Sequence, residues 1–212
     1  HDEDVGGPGS DALHLGQVLV NGLVGGGGKS VHVLVQLNDL PGESEKAEMW
    51  RDGLDLGEYV PGSAFIAAVP AGRVEQVSAR SDVRWMTLWD ASHKLHPRLR
   101  QKDFSPWALD PSRPGWVMLF VQLHHDVGIE ESDRIAETVA GVLLPPVDGL
   151  HGATLWVPEE KIAELAEIEA VMWVAEGPQP LAPTNDGTRA TMRVDPVNAA
   201  PYNLNGTGVR IL

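Results

Sequence analysis

The apolar positions of this chain fall into short runs, and the runs recur. Val33-Leu34-Val35-Gln36-Leu37 returns 86 positions later as Leu119-Phe120-Val121-Gln122-Leu123. Ala68-Val69-Pro70 returns after 88 positions as Trp156-Val157-Pro158, and Val83-Arg84-Trp85-Met86 returns at the same offset as Val171-Met172-Trp173-Val174. Three blocks in one order with a two-residue drift indicate two copies of one small domain. The copies are expected at residues 29–100 and 115–184, with an extension at 1–28, a linker at 101–114 and a further segment at 185–212.

Each copy parses by period. Val31–Leu37 and Trp116–Leu123 are β-branched and apolar and read as buried strands. Glu43–Gly53 and Glu130–Ala140 are charged and helix-prone. Ala64–Val69 and Ala153–Val157 read as strands that follow the turn formers Pro61-Gly62 and Asp148-Gly149. Weaker strands are expected before those turns, at Leu56–Val60 and Val142–Val147. A short helix comes next in each copy, with Val74 and Val77, then Ile162 and Leu165, facing the sheet. Val83–Leu88 and Val171–Ala175 close the copies as strands. The order strand–helix–strand–strand–helix–strand is the split βαβ plan, so the predicted class is α+β with two tandem ferredoxin-like modules.

Composition narrows the function classes. The chain has 212 residues, 42% hydrophobic and 22% charged, which suits packed cores. Its formal net charge of −14 repels phosphate backbones and argues against nucleic acid as a partner. Cysteine is absent, which removes disulfides, thiol nucleophiles and thiolate metal sites. No run of apolar residues is long enough for a membrane helix. The start, His1-Asp2-Glu3-Asp4, is acidic and unlike a signal peptide.

The candidate motifs mostly carry structural readings. Gly25–Gly28 with Lys29-Ser30 suggests a phosphate loop, but the required first glycine is Leu23, and a strand follows where a helix is needed. His1, His14, His32, His93, His96, His124, His125 and His151 show no ligand spacing for a metal and read as surface or turn residues. Trp85, Trp116, Trp156 and Trp173 lie on predicted strands and are expected in the cores, whereas Trp50, Trp89 and Trp107 are candidates for an interface. Glu130-Glu131 and Glu159-Glu160 complement helix dipoles. No nucleophile elbow of the Gly-x-Ser-x-Gly kind occurs.

The stretch Gly152-Ala153-Thr154-Leu155-Trp156-Val157-Pro158, followed by Ile162, Leu165 and Val171-Met172-Trp173-Val174, resembles the end of a subtilisin-type inhibitory propeptide. Asn185-Asp186-Gly187-Thr188-Arg189, Val194-Asp195-Pro196-Val197, Leu204 and Gly206-Thr207-Gly208-Val209-Arg210-Ile211 resemble the opening of a mature bacterial subtilase. The resemblance implies a secreted, extracytoplasmic serine endopeptidase whose prodomain acts as intramolecular chaperone and inhibitor and is removed by autoprocessing. Its partner is the catalytic domain of the same precursor. Leu181, Ala182, Pro183 and Thr184 correspond to the tail that lies across the substrate cleft, with the cut between Thr184 and Asn185. Pro180 and Pro183 favour an extended, substrate-like backbone there. The catalytic Asp, His and Ser are expected beyond Leu212, so this chain carries no triad, and no metal or cofactor is expected in it; the resemblance allows calcium in the catalytic domain. The duplication departs from the family pattern, in which one module is usual. Two alternatives remain open: a stand-alone inhibitor of subtilisin-like proteases and a ferredoxin-like ligand-binding module.

Overall fold

The computed structural model describes residues 30–147, 149–179, 187, 191–204 and 207–208. They are mixed α+β and contain two four-stranded antiparallel sheets. The first module comprises β1 (Ser30–Leu37), α1 (Glu43–Arg51), β2 (Asp55–Val60), β3 (Ala64–Pro70), α2 (Val74–Ser78) and β4 (Val83–Leu88). Two single-turn helices follow, α3 (Ala91–Lys94) and α4 (Pro97–Arg100). The second module comprises β5 (Trp116–Leu123), α5 (Glu131–Thr138), β6 (Val142–Leu143), β7 (Gly152–Pro158), α6 (Ile162–Glu167) and β8 (Val171–Glu176).

The repeat in the sequence is a repeat in topology. The sheet orders are β2-β3-β1-β4 and β6-β7-β5-β8. Both central strands break register at one place, between Gln36 and Leu37 and between Gln122 and Leu123. Strand side chains alternate between faces. Val31, Val33, Val35 and Leu37 therefore turn to the helices of the first module, with Phe65, Ala67 and Val69 beside them. Met49, Val74 and Val77 supply the helical side of that core. In the second module Val117, Leu119, Val121 and Leu123 meet Ala153, Leu155, Val157, Ile135, Ile162 and Leu165. The first turn of α1 is held by Glu45, whose carboxylate accepts from the Gly42 N–H at 2.7 Å, and Glu43 and Glu45 suit the positive end of the helix.

Two expectations are corrected. The strand read at Val142–Val147 is reduced to Val142–Leu143, because Pro145 and Pro146 have no N–H to give to a ladder. Trp85, Trp116, Trp156 and Trp173 are not in the helix-covered cores. Alternation places them on the opposite, outer faces of the sheets, where Trp85 is 42% exposed and the other three are half-buried. The stretch read as a linker is mostly exposed but is anchored at a few points. Ala108 is buried in the second core, Leu109 bridges to Val117, and the Ser105 hydroxyl donates to Glu176 at 2.8 Å. It has no period because it is made of single turns, yet its spaced apolar residues still find the core.

Residues 179–212 form a separate unit that contains α7 (Val194–Asn198) and a cis Ala200–Pro201 peptide. The helices described here include none long and apolar enough to cross a membrane.

The two-core arrangement has a direct test. Leu155→Ala, at a fully buried site, is expected to lower stability by about 2–5 kcal/mol in urea unfolding. Leu143→Ala, on the shortened edge strand and 38% exposed, is expected to change it by no more than about 0.5 kcal/mol.

Candidate functional site

The outer face of the first sheet carries His32, Leu34 and Gln36 from β1, opposite Ala68, Ile66 and Ala64 of β3. An outer face is normally wet, but His32 is 4% exposed, and Ala64, Ile66 and Ala68 are buried. At its centre the second module meets it. The loop after β5, His124-His125-Asp126, and Glu169 in the turn before β8 converge on His32. Its Nε2 lies 2.8 Å from Asp126 Oδ1 and its Nδ1 lies 2.8 Å from Glu169 Oε1. The His32 backbone N–H also donates to Glu169 Oε1, at 3.2 Å. The His124 ring stacks flat on the His32 ring, with centroids 3.4 Å apart and planes 5° from parallel.

A neutral imidazole has one N–H, and a ring with a carboxylate at each nitrogen needs two. His32 is therefore a cation. Burial alone would lower its pKa, but the hydrogen bonds to Asp126 and Glu169 outweigh burial and raise it. The same contact with His32 holds the Asp126 carboxyl below its usual range. His124 is the opposite case. It is wholly buried, and neither ring nitrogen has a hydrogen-bond partner. Burial, then the positive charges of His32 and Lys94, push its pKa down to about 2, so it stays neutral. Its backbone is fixed: the N–H donates to Ala170 O at 3.2 Å, and the carbonyl accepts from Val127 N at 3.0 Å and from His151 Nε2 at 3.0 Å.

Neighbouring contacts tie the same two modules together. Trp89 continues the line of β4, its N–H donating to His32 O at 2.9 Å, and its indole Nε1–H donates across the junction to Met172 O at 2.8 Å. Lys94 is 2% exposed, and its ammonium donates to Ile168 O at 2.9 Å. Burial lowers the Lys94 pKa against the opposing charges of Glu169, Glu167 and Asp90. His96 N–H donates to Val174 O at 2.9 Å, and Leu95 forms a parallel bridge to Val174, so the connecting segment lies along β8. His125 Nε2 comes within 3.1 Å of Asp55 Oδ2 without forming a hydrogen bond. An open cleft of about 490 Å³, lined by Trp50, Asp55, Arg73 and Asp126 among others, reaches the rim of this cluster.

The outer face of the second sheet is different. Its corresponding positions are Met118, Phe120 and Gln122 opposite Trp156, Thr154 and Gly152, with Trp116, Trp173 and Ala175 beside them. The contacts on this face come from the segment that connects the two modules. The Arg113 guanidinium lies 4.3 Å from the Trp116 ring centre and 5.8 Å from that of Trp156, and His96 meets Trp173 edge-on at 6.1 Å. Trp116, Phe120, Trp156 and Trp173 stay half-exposed.

Of the residues expected to act, Leu181, Ala182, Pro183, Thr184 and Asn185 lie outside the described residues. Trp89 takes the interface place expected of it. The histidine reading is corrected: His32 and His124 are buried at the junction, because two carboxylates and a second ring replace water around them. The sequence held a usable signal. His32 stands in an apolar strand where the second copy has Met118, so a polar residue in one copy replaces an apolar one in the other. Among the described residues no group of three or more His, Asp or Glu is arranged to hold a metal ion.

At Gly57 the backbone of the first module lies close to His125 of the second. A Cβ there would lie 2.5 Å from His125 Nδ1 and 2.9 Å from the Ile66 carbonyl oxygen. Gly57→Ala is expected to cost about 1–3 kcal/mol by overpacking. His125→Ala should recover part of that loss, giving a coupling above about 0.5 kcal/mol in a double-mutant cycle measured by denaturation.

A family model described as a domain of unknown function, DUF8729, matches residues 15–88, which include the first module from Ser30 to Leu88. No curated protein and no solved structure matches the chain.

Proposed function

We propose that this chain is the prodomain of a secreted subtilisin-like serine protease, serving as intramolecular chaperone and inhibitor until autoprocessing removes it. The observation that carries this reading is the outer face of the second sheet. A face with Trp116, Phe120, Trp156 and Trp173 half-exposed is suited to bury apolar surface against a partner. The first sheet supplies an internal precedent, since its own outer face is engaged by another domain. The strand–helix–strand–strand–helix–strand order and the β2-β3-β1-β4 arrangement, present twice, support two tandem ferredoxin-like modules of the propeptide kind.

The tail has the reach the reading requires. β8 ends at Glu176, and eight residues lead from it to Thr184, an extended span of about 26–29 Å. Leu181-Ala182-Pro183-Thr184 fits a substrate-like strand ending at a Thr184–Asn185 cut. Because face and tail belong to one chain, each raises the effective concentration of the other, and binding only the native enzyme stabilises that enzyme. The residues from 185 onward are then the first segment of the catalytic domain. Peptide hydrolysis, and any calcium, belong to that domain.

The test mixes the full chain with a subtilisin-type endopeptidase, follows inhibition over time and sequences the new N-terminus. Inhibition that clears slowly, with a terminus at Asn185, is the expected result. Phe120→Asp should weaken inhibition tenfold or more, while Leu40→Asp, at an exposed site of the first module, should leave it unchanged. Rapid digestion at scattered bonds without inhibition would overturn the reading.

A further inference from the structure

We propose that the junction between the two modules is a proton-controlled clasp: it is closed while His32 is charged between Asp126 and Glu169 and His124 is neutral against it, and it opens when either ring changes protonation state. The inference rests on the junction geometry and is independent of the protease reading.

His32 can satisfy both carboxylates only with both nitrogens protonated. Its loss of a proton leaves one carboxylate facing a lone pair at 2.8 Å. His124 can remain in place only without a charge. A proton on it would put a second cation 3.4 Å from the His32 ring, in a site that offers its nitrogens no acceptor. The charged groups around the pair reinforce this. His32 is faced by Asp126 from the loop after β5, on which His125 also acts, and by Glu169 from the turn before β8. His124 is faced by His32 from β1, Lys94 from α3, and His125 and Asp126 from its own loop. Asp55 from β2 stands at His125, and Asp90 and Glu167 act on Lys94. Asp126 is 26% exposed and lines the open cleft, so solvent protons reach the cluster without unfolding of either core.

The two histidines act with opposite sign. His32 has a raised pKa when the clasp is closed, so its contribution is complete below the ordinary value near 6.5 and is lost as pH rises through the raised one. His124, held down at about 2, contributes above 6.5, and its contribution falls away as pH drops below 6.5. Asp126, also lowered, adds a loss at more acidic pH still. The clasp is therefore tightest between the ordinary value near 6.5 and the raised value of His32. Between pH 7 and pH 5 the His124 arm alone shifts the closing equilibrium by about 25-fold towards open. His32 opposes this, so the net change is smaller.

The Trp89 indole N–H reports the junction, because its acceptor is Met172 O in the other module. Its solvent exchange would be followed by NMR on the full chain between pH 4.5 and 9, assigned with Trp89→Phe and corrected for the intrinsic rate. The expected protection is greatest at or above pH 6.5, falls severalfold, by less than about 25-fold, on going to pH 5, and falls again on the alkaline side. The Val121 amide in the second core should stay protected throughout, which separates opening from unfolding. His124→Phe keeps the stacked ring without a proton site, so it should abolish the fall from pH 7 to pH 5 and retain the alkaline one. Flat protection from pH 5 to 9, or an unchanged acid loss in His124→Phe, overturns the proposal. Should that variant not fold, ¹⁵N shifts of the wild-type rings decide: at pH 6.5 His32 must be charged and His124 neutral, and any other assignment overturns it.

Discussion

A buried imidazolium held between two carboxylates fixes the relation between the two sheet domains. Both nitrogens of His32 belong to the second module, through Asp126 and Glu169, although the ring itself stands on the first. Taking such a charge out of water is costly, and the cost is offset only when each N–H has its acceptor. Apolar contact between a sheet face and a loop tolerates sliding. A ring with an acceptor at each end does not, so this one residue sets the register of the junction. The stacked His124, the Trp89 bond to Met172 and the buried Lys94 ammonium at Ile168 then fall around it.

The two modules share one strand order and one central register and present different surfaces. His32 pairs with Ala68 in the first sheet, and Met118 pairs with Trp156 at the equivalent place in the second. One face thus has a small residue and a charged ring, which together admit a polar loop. The other has a thioether and an indole, with Phe120 and Trp173 alongside, and no ionisable group in those positions. Helix-facing positions stay apolar in both copies, with Phe65 and Ala67 exchanged for Ala153 and Leu155, because both must fill a core at the same density. The outer faces are free of that constraint and take the chemistry of whatever lies against them.

That distinction also explains what could be read from the sequence. The cores were legible because Val31–Leu37 and Trp116–Leu123 are β-branched, apolar runs of strand length, and the repeat supported each assignment with a second copy. The outer faces were not legible. A tryptophan on a strand satisfies the alternation on either side, so Trp116, Trp156 and Trp173 read equally as core until the register placed them opposite the valines. The junction was hidden for a different reason. Asp126, Glu169 and His32 are far apart in sequence, and nothing local marks a histidine whose two acceptors come from another domain. Only the mismatch of His32 with Met118 betrays it. The shortened β6 could have been anticipated from Pro145 and Pro146.

The division of chemistry between the faces has a consequence for any partner. The chain carries a net charge of −14, so long-range attraction favours a basic or weakly charged surface. At short range the face around Met118, Phe120, Trp156 and Trp173 has the Arg113 guanidinium laid over Trp116 and otherwise apolar rings. A partner that fits it gains by burying apolar area, a gain that does not depend on protonation. The buried imidazole pair lies at the junction on the outer face of the first sheet, and His96 stands edge-on to Trp173 at the second. The two faces thus differ in kind: one holds the pair of modules together through paired charges and stacked rings, and the other presents half-buried apolar rings.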